Sequence, residues 1–141
     1  MVEPQMVAAG LACETALDER LVVHADREKL QQILINLLGN ALKFTPSGGT
    51  IRLHSARGLD GDRGLLHVTD TGIGIPPEKL ERIFEPFIQV ETGHARRKEG
   101  TGLGLSISRD LARGMGGDLT ATSVEGRGST FTLALPLSRV G

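Results

Sequence analysis

Asp26-Arg27-Glu28-Lys29-Leu30-Gln31-Gln32-Ile33-Leu34-Ile35-Asn36-Leu37-Leu38-Gly39-Asn40-Ala41-Leu42-Lys43-Phe44 is the stretch from which the rest of the chain is read. Leu30, Ile33, Leu34, Leu37, Leu38, Ala41 and Leu42 recur at three- and four-residue steps, the period of one buried helix face. Asp26 stands where an N-cap belongs, and Glu28 adds negative charge to the first turn. Thr45-Pro46-Ser47-Gly48-Gly49 ends the helix. Gln32, Asn36, Asn40 and Lys43 are expected as one polar ridge on the opposite face. A solvated face is one reading of that ridge. Against it, each mid-helix Asn is worse than Glu, Lys or Ala by about half a kcal/mol, because its side chain competes for backbone bonds. Two carboxamides one turn apart suit metal binding better, since amide oxygens can complete the shell of a Mg²⁺ ion that takes few protein ligands. A lysine beyond them can meet phosphate oxygens.

Working outward, 141 residues fit one domain with a real core. A net charge of −1 gives no global pull toward nucleic acid or an anionic membrane. No apolar run approaches spanning length, and Met1-Val2-Glu3-Pro4 is not a signal peptide. Cys13 is the single cysteine, so no intrachain disulfide forms and a reducing, cytoplasmic setting is expected. The chain has 19 Gly against four aromatics, all Phe, and the glycines cluster between structured segments. That pattern marks close backbone approach to a ligand or positive-φ positions.

Glu3 to Gly10 reads as the end of a helix, and Leu11–Ala16 and Leu21–His24 as short strands. Gly49–Ala56 alternates Ile51, Leu53 and Ser55 against Arg52 and His54, a strand with one wet face. Gly58 to Gly64 is a hairpin loop, and Leu65–Thr69 its partner strand. Pro77–Phe84 is predicted as a short helix with Pro at its start. The polar, aperiodic Val90–Gly100 is expected to be a mobile loop. Leu103–Met115 is predicted as a helix with Leu105, Ile107, Leu111 and Ala112 among its apolar positions; Asp118–Ser123 and Ser129–Leu137 close the chain as strands. Hairpin-linked strands without a βαβ series predict an α+β two-layer sandwich, one mixed, mostly antiparallel sheet with helices on one face.

Several short motifs carry candidate chemistry. Asp70-Thr71-Gly72-Ile73-Gly74-Ile75-Pro76 follows a strand. Its carboxylate accepts hydrogen bonds only and suits an exocyclic amine such as adenine's; an Asx-capped tight turn is the competing reading. Gly100-Thr101-Gly102-Leu103-Gly104-Leu105 precedes a helix, whose free N–H groups attract phosphate. It is neither the dinucleotide fingerprint nor a P-loop, and a glycine-rich helix start without a ligand is the alternative. Phe84-Glu85-Pro86-Phe87 reads as a hydrophobic plug that anchors the loop, and Gly126 to Phe131 as a glycine hairpin or a ligand contact. His24, His54, His67 and His94 show no metal-ligand spacing and read as surface or strand residues.

In this order the motifs resemble the catalytic and ATP-binding domain of two-component sensor histidine kinases, part of the group shared with gyrase, the Hsp90 chaperones and the MutL repair proteins. The matching boxes are Asn36 to Phe44, Asp70 to Gly74, Phe84 to Phe87, Gly100 to Leu105 and Gly128-Ser129-Thr130-Phe131. The resemblance implies a Bergerat-type sandwich over residues 1–141, ATP with Mg²⁺ as ligand, and a lid at Val90–Gly100. It implies Asn36, Asn40 and Lys43 as the catalytic set: Asn40 as Mg²⁺ ligand, Asn36 in support, Lys43 on phosphate. Asp70 is then the adenine acceptor, Gly72 and Gly74 line the base, and Gly102 and Gly104 the phosphates. Phe44, Ile75, Phe87, Gly100, Thr101, Leu103, Leu105 and Ser129 complete the implied nucleotide contacts. Hydrolysing relatives carry a Glu four residues before the Mg²⁺ Asn; Asn36 stands there and cannot serve as a general base. That favours transfer over hydrolysis. The implied partners are a dimerising domain bearing the phosphoacceptor His, which is absent from this sequence, and a response-regulator receiver. A gyrase-like ATPase switch, a serine kinase related to anti-sigma regulators and a nucleotide-sensing module are the rival functions.

Overall fold

The computed structural model describes residues 12–16, 26–58, 63–80, 82–85 and 104–137. Helix α1 spans Arg27–Phe44. Asp26 caps it: its Oδ1 accepts the backbone N–H groups of Glu28 at 3.0 Å and Lys29 at 3.2 Å. At the other end Thr45 is extended, as a residue before proline must be, and its hydroxyl donates to the Ala41 carbonyl.

Among the described residues the strands are β1 (Ala12–Ala16), β2 (Thr50–Arg57), β3 (Arg63–Asp70), β4 (Asp118–Val124) and β5 (Gly128–Pro136). They form one sheet in the order β1-β2-β3-β5-β4. β1 runs parallel to β2 and every other pairing is antiparallel. The period-two alternation sorts the side chains. Ile51, Val68, Leu119, Phe131, Leu133 and Leu135 turn inward and are buried with Ile33, Leu37 and Ala41 of α1. Arg52, His54, His67, Thr130 and Thr132 share the other face. The expected two-layer α+β sandwich is the observed architecture.

Two helices depart from expectation. The predicted Pro77–Phe84 helix is one turn, α2 (Pro77–Leu80), continued by i→i+3 turns at Arg82 and Glu85. A single turn fixes many dihedrals for few bonds and does not propagate. Helix α3 is Gly104–Gly114, and its Ile107 is 43% exposed instead of facing the core. The early helix, the Leu21–His24 strand, the Val90–Gly100 loop, His24 and His94 lie outside the described residues.

Candidate functional site

A cavity opens where α1, the end of β3, the loop after it and the start of β5 converge. Asn40, Phe44, Asp70, Gly74, Ile75 and Ser129 line it. All six are residues that the sequence singles out. α1 supplies Asn40 and Phe44 one turn apart. β3 ends in Asp70, which pairs across the sheet with Ser129.

Asp70 is 6% exposed. Its Oδ1 accepts the Gly72 N–H at 2.9 Å, so the Asx-turn reading is realised while the carboxylate also faces the cavity. Burial pushes its pKa above the ordinary carboxylate value, against the backbone N–H groups of Gly72 and Ser129, which favour the ionised form. Gly74 has φ of +73°, and a Cβ there would overlap the Val124 carbonyl. Only glycine lets the loop lie this close to the β4–β5 turn. Gly126 N–H donates to the Ile73 carbonyl at 2.7 Å and fastens it.

The polar ridge of α1 is not the solvated face opposite the core. That face carries Gln31, Gln32, Ile35 and Gly39. Asn36, Asn40 and Lys43 lie half-buried on the flank between α3 and the cavity. Asn36 Nδ2 donates to Ser108 Oγ at 2.9 Å and to the Gly104 carbonyl at 3.3 Å. The Lys43 ammonium sits 5.1 Å from the centroid of the Phe44 ring, a cation–π arrangement. Leu105 packs against the core and does not line the cavity. Among the described residues a Cβ on Gly104 would meet Asn36 alone, at 3.8 Å. Phe87, Gly100, Thr101, Gly102 and Leu103 lie outside the described residues.

Sequence reasoning missed two hydroxyls. Ser108 is fully buried on α3 against Asn36. Ser123 Oγ accepts from Ile75 N–H at 2.8 Å, donates to the Gly128 carbonyl at 2.8 Å and lies 2.9 Å from Ser129 Oγ. Its one proton is directed at Gly128, so Ser129 is the donor in that last pair. The available signal was a serine on an inward-facing register position, in line with Leu119 and Ala121.

Among the described residues no group of three or more His, Cys, Asp or Glu side chains could hold a metal by itself. No helix among them is long and apolar enough to cross a membrane.

The model of the family described as "Histidine kinase-, DNA gyrase B-, and HSP90-like ATPase" matches residues 25–139. An uncharacterized sensor-like histidine kinase of Rhizobium meliloti is 45% identical over all of this chain, which spans 30% of that relative's length. Among solved structures, the catalytic domain of histidine kinase ThkA superposes with a TM-score of 0.80 at 31% identity, covering 96% of this chain and 86% of that one. Full-length ShkA in complex with AMPPNP superposes with a TM-score of 0.81 at 35% identity, covering 97% of this chain and 28% of that one.

Proposed function

This chain belongs to the histidine kinase-, DNA gyrase B- and HSP90-like ATPase family, on its sensor histidine kinase branch, and on that premise we propose that it binds ATP with Mg²⁺ and presents the γ-phosphate to a histidine on a separate dimerising domain. The observation that carries this reading is the convergence of Asn40, Phe44, Asp70, Gly74, Ile75 and Ser129 on one cavity. In it a buried carboxylate acceptor lies across from a carboxamide on the flank of α1.

Each residue's role follows from its chemistry. Asp70 commits Oδ1 to Gly72, and its other lone pairs suit the exocyclic amine of adenine. Gly74 and Ile75 give the base a flat backbone floor. Asn40 offers an amide oxygen on the cavity wall. Oxygen donors that are few and neutral fit Mg²⁺, which keeps several waters and is held largely by substrate phosphates. When bound, that ion neutralises charge on the transferring phosphoryl group. Lys43 is near enough on α1 to add a cation, and the start of α3 faces Asn36 with a glycine whose open side suits a phosphate. Asn36 gives no general base, so nothing among the described residues of this wall activates water. Transfer to a protein acceptor is then favoured, with positioning as the main source of rate. The single cysteine and an ATP ligand support a cytoplasmic setting, and a receiver domain is the downstream partner of this chemistry.

The test is to supply this chain with γ-labelled ATP, Mg²⁺ and a dimerising domain bearing a phosphoacceptor His. Acid-labile label is expected on the added domain and none on this chain alone. Rapid phosphate release without acceptor, or stable label on this chain by itself, refutes the proposal.

A further inference from the structure

We propose that Ser108 is a positioning residue: its hydroxyl, beside the Gly104 carbonyl, locks the Asn36 amide with its nitrogen on α3 and its oxygen turned toward the metal-bearing side of α1. The inference rests on the ATP–Mg²⁺ reading above.

Asn36 meets two acceptors on α3, Ser108 Oγ at 2.9 Å and the Gly104 carbonyl at 3.3 Å. They lie four residues apart, one helical turn. A backbone carbonyl only accepts, so the amide corner facing α3 must be the nitrogen. Both N–H bonds are thereby directed at α3, and Oδ1 is the corner turned away from it. One turn further along α1, Asn40 lines the cavity. Asn36 thus turns its amide oxygen away from α3, on the flank where Asn40 follows one turn on, the polarity a cation or its bound waters require.

The Gly104 carbonyl sets which end of the amide faces α3, and Ser108, through the shorter bond, holds it there. Ser108 is 0% exposed in the middle of an amphipathic helix, where an apolar residue would ordinarily pack. A buried hydroxyl needs a partner, and Asn36 is that partner. Without it the amide keeps only the longer bond to Gly104, and its nitrogen end can rotate toward the metal side. Asn36 would then offer a donor where an acceptor is needed.

Calorimetric titration of ATP into the chain, with Mg²⁺ and again with EDTA, tests this on the unaltered protein, Ser108→Ala, Asn36→Ala and the double variant. Ala is the best helix former, so Ser108→Ala should fold, and its thermal melt confirms that. Ser108→Cys keeps the volume with a weaker acceptor and should fall between. Ser108→Ala is expected to weaken Mg²⁺–ATP binding about three- to tenfold, the worth of one net hydrogen bond. ATP binding in EDTA should be unchanged, and the effect should vanish in the Asn36→Ala background. Unchanged Mg²⁺–ATP affinity in Ser108→Ala, equal loss in EDTA, or equal loss on top of Asn36→Ala overturns the inference alone. Absence of Mg²⁺–ATP binding by the unaltered chain overturns the proposed function beneath it.

Discussion

Asp70 combines two demands that pull its chemistry in opposite directions. As a turn cap it holds the Gly72 N–H at 2.9 Å; as a buried carboxylate facing a cavity it bears a desolvation cost that raises its pKa. A raised carboxylate pKa means that its ionisation disfavours the fold above that pKa, and that the cost vanishes as pH falls and the group protonates. Asp70→Asn keeps an acceptor for Gly72 and removes the charge. At neutral pH the variant should melt above the unaltered chain, with the gap closing as pH falls. The same substitution should narrow the preference for ATP over GTP, chiefly by weakening ATP. Adenine offers an amine where guanine offers a carbonyl, and an unpaired buried polar group costs about 1–3 kcal/mol, or roughly ten- to a hundredfold in affinity. Competition binding of both nucleotides checks this; an unchanged ratio would make Asp70 a turn cap only. At this scale the sequence was legible wherever residue type is unusual for its local setting: asparagine in mid-helix, or Asp before spaced glycines. Ser108 was illegible because a serine is unremarkable in a helix, and only packing between elements shows its hydroxyl enclosed; for Ser123 the inward register position was the available signal.

Helix α1 was legible almost to the residue because three independent signals agree on it: the cap at Asp26, the apolar period, and Pro46 after Thr45. Its polar flank was misjudged, since a helix period gives angles without saying where a neighbouring helix will lie. α3 claims the Asn36 side, and the true solvent face falls on Ile35 and Gly39. The parallel β1–β2 pairing could not be read either, because Ala12 and Thr50 are register partners far apart in the chain, with all of α1 between them. Two element-scale predictions follow from the contacts. Asp26→Ala frees the Glu28 and Lys29 N–H groups and should cost about 1 kcal/mol, a drop of roughly 3 °C in Tm for a domain of this size. At the far end of α3, Asp118 Oδ1 accepts from Leu119 N–H at 2.8 Å, Arg113 Nε at 3.0 Å and Arg109 Nε at 3.3 Å. Burial works against its ionised form, yet the Leu119 N–H and the two arginines outweigh it and hold the pKa below the ordinary value. The Arg109 guanidinium also stacks 4.4 Å from the Phe84 ring centroid, and Phe84 packs edge-on against Phe131. Asp118→Ala should therefore loosen α3 from β4 and release Phe84. Faster hydrogen exchange in α3 and in 82–85, with β2–β3 protection unchanged, is the expected readout.

Across the whole molecule the sheet separates two chemistries. Its inner face holds the core and ends at the cavity; its outer face is polar and carries a histidine pair at opposed register positions of β2 and β3. The His54 and His67 rings stack with centroids 4.7 Å apart. His67 Nδ1 is bonded to Thr132 Oγ1 at 2.8 Å, while His54 Nδ1 is buried without a partner among the described residues. In neutral His54 with its proton on Nε2, Nδ1 is an unpaired acceptor. A second proton would create a buried N–H donor with nothing to accept it, beside a second imidazole. Arg52 on the same strand adds positive charge, with Glu14 opposite it on β1. Burial, then the His67 charge and Arg52, lower the His54 pKa; burial lowers that of His67. These two sites thus hold fewer protons in the folded chain than in the unfolded one from about pH 6.5, the ordinary histidine value, down to their lowered folded values. Stability should be flat above that point and fall as pH drops through the window beneath it. Melting curves at pH 7.5, 6.5 and 5.5 should show this decline in the unaltered chain. In the His54→Gln/His67→Gln double variant the decline should flatten, leaving the carboxylates to govern acid unfolding at lower pH. An equally steep loss between pH 6.5 and 5.5 in both proteins would show that the pair titrates freely and that the outer face is indifferent to proton load.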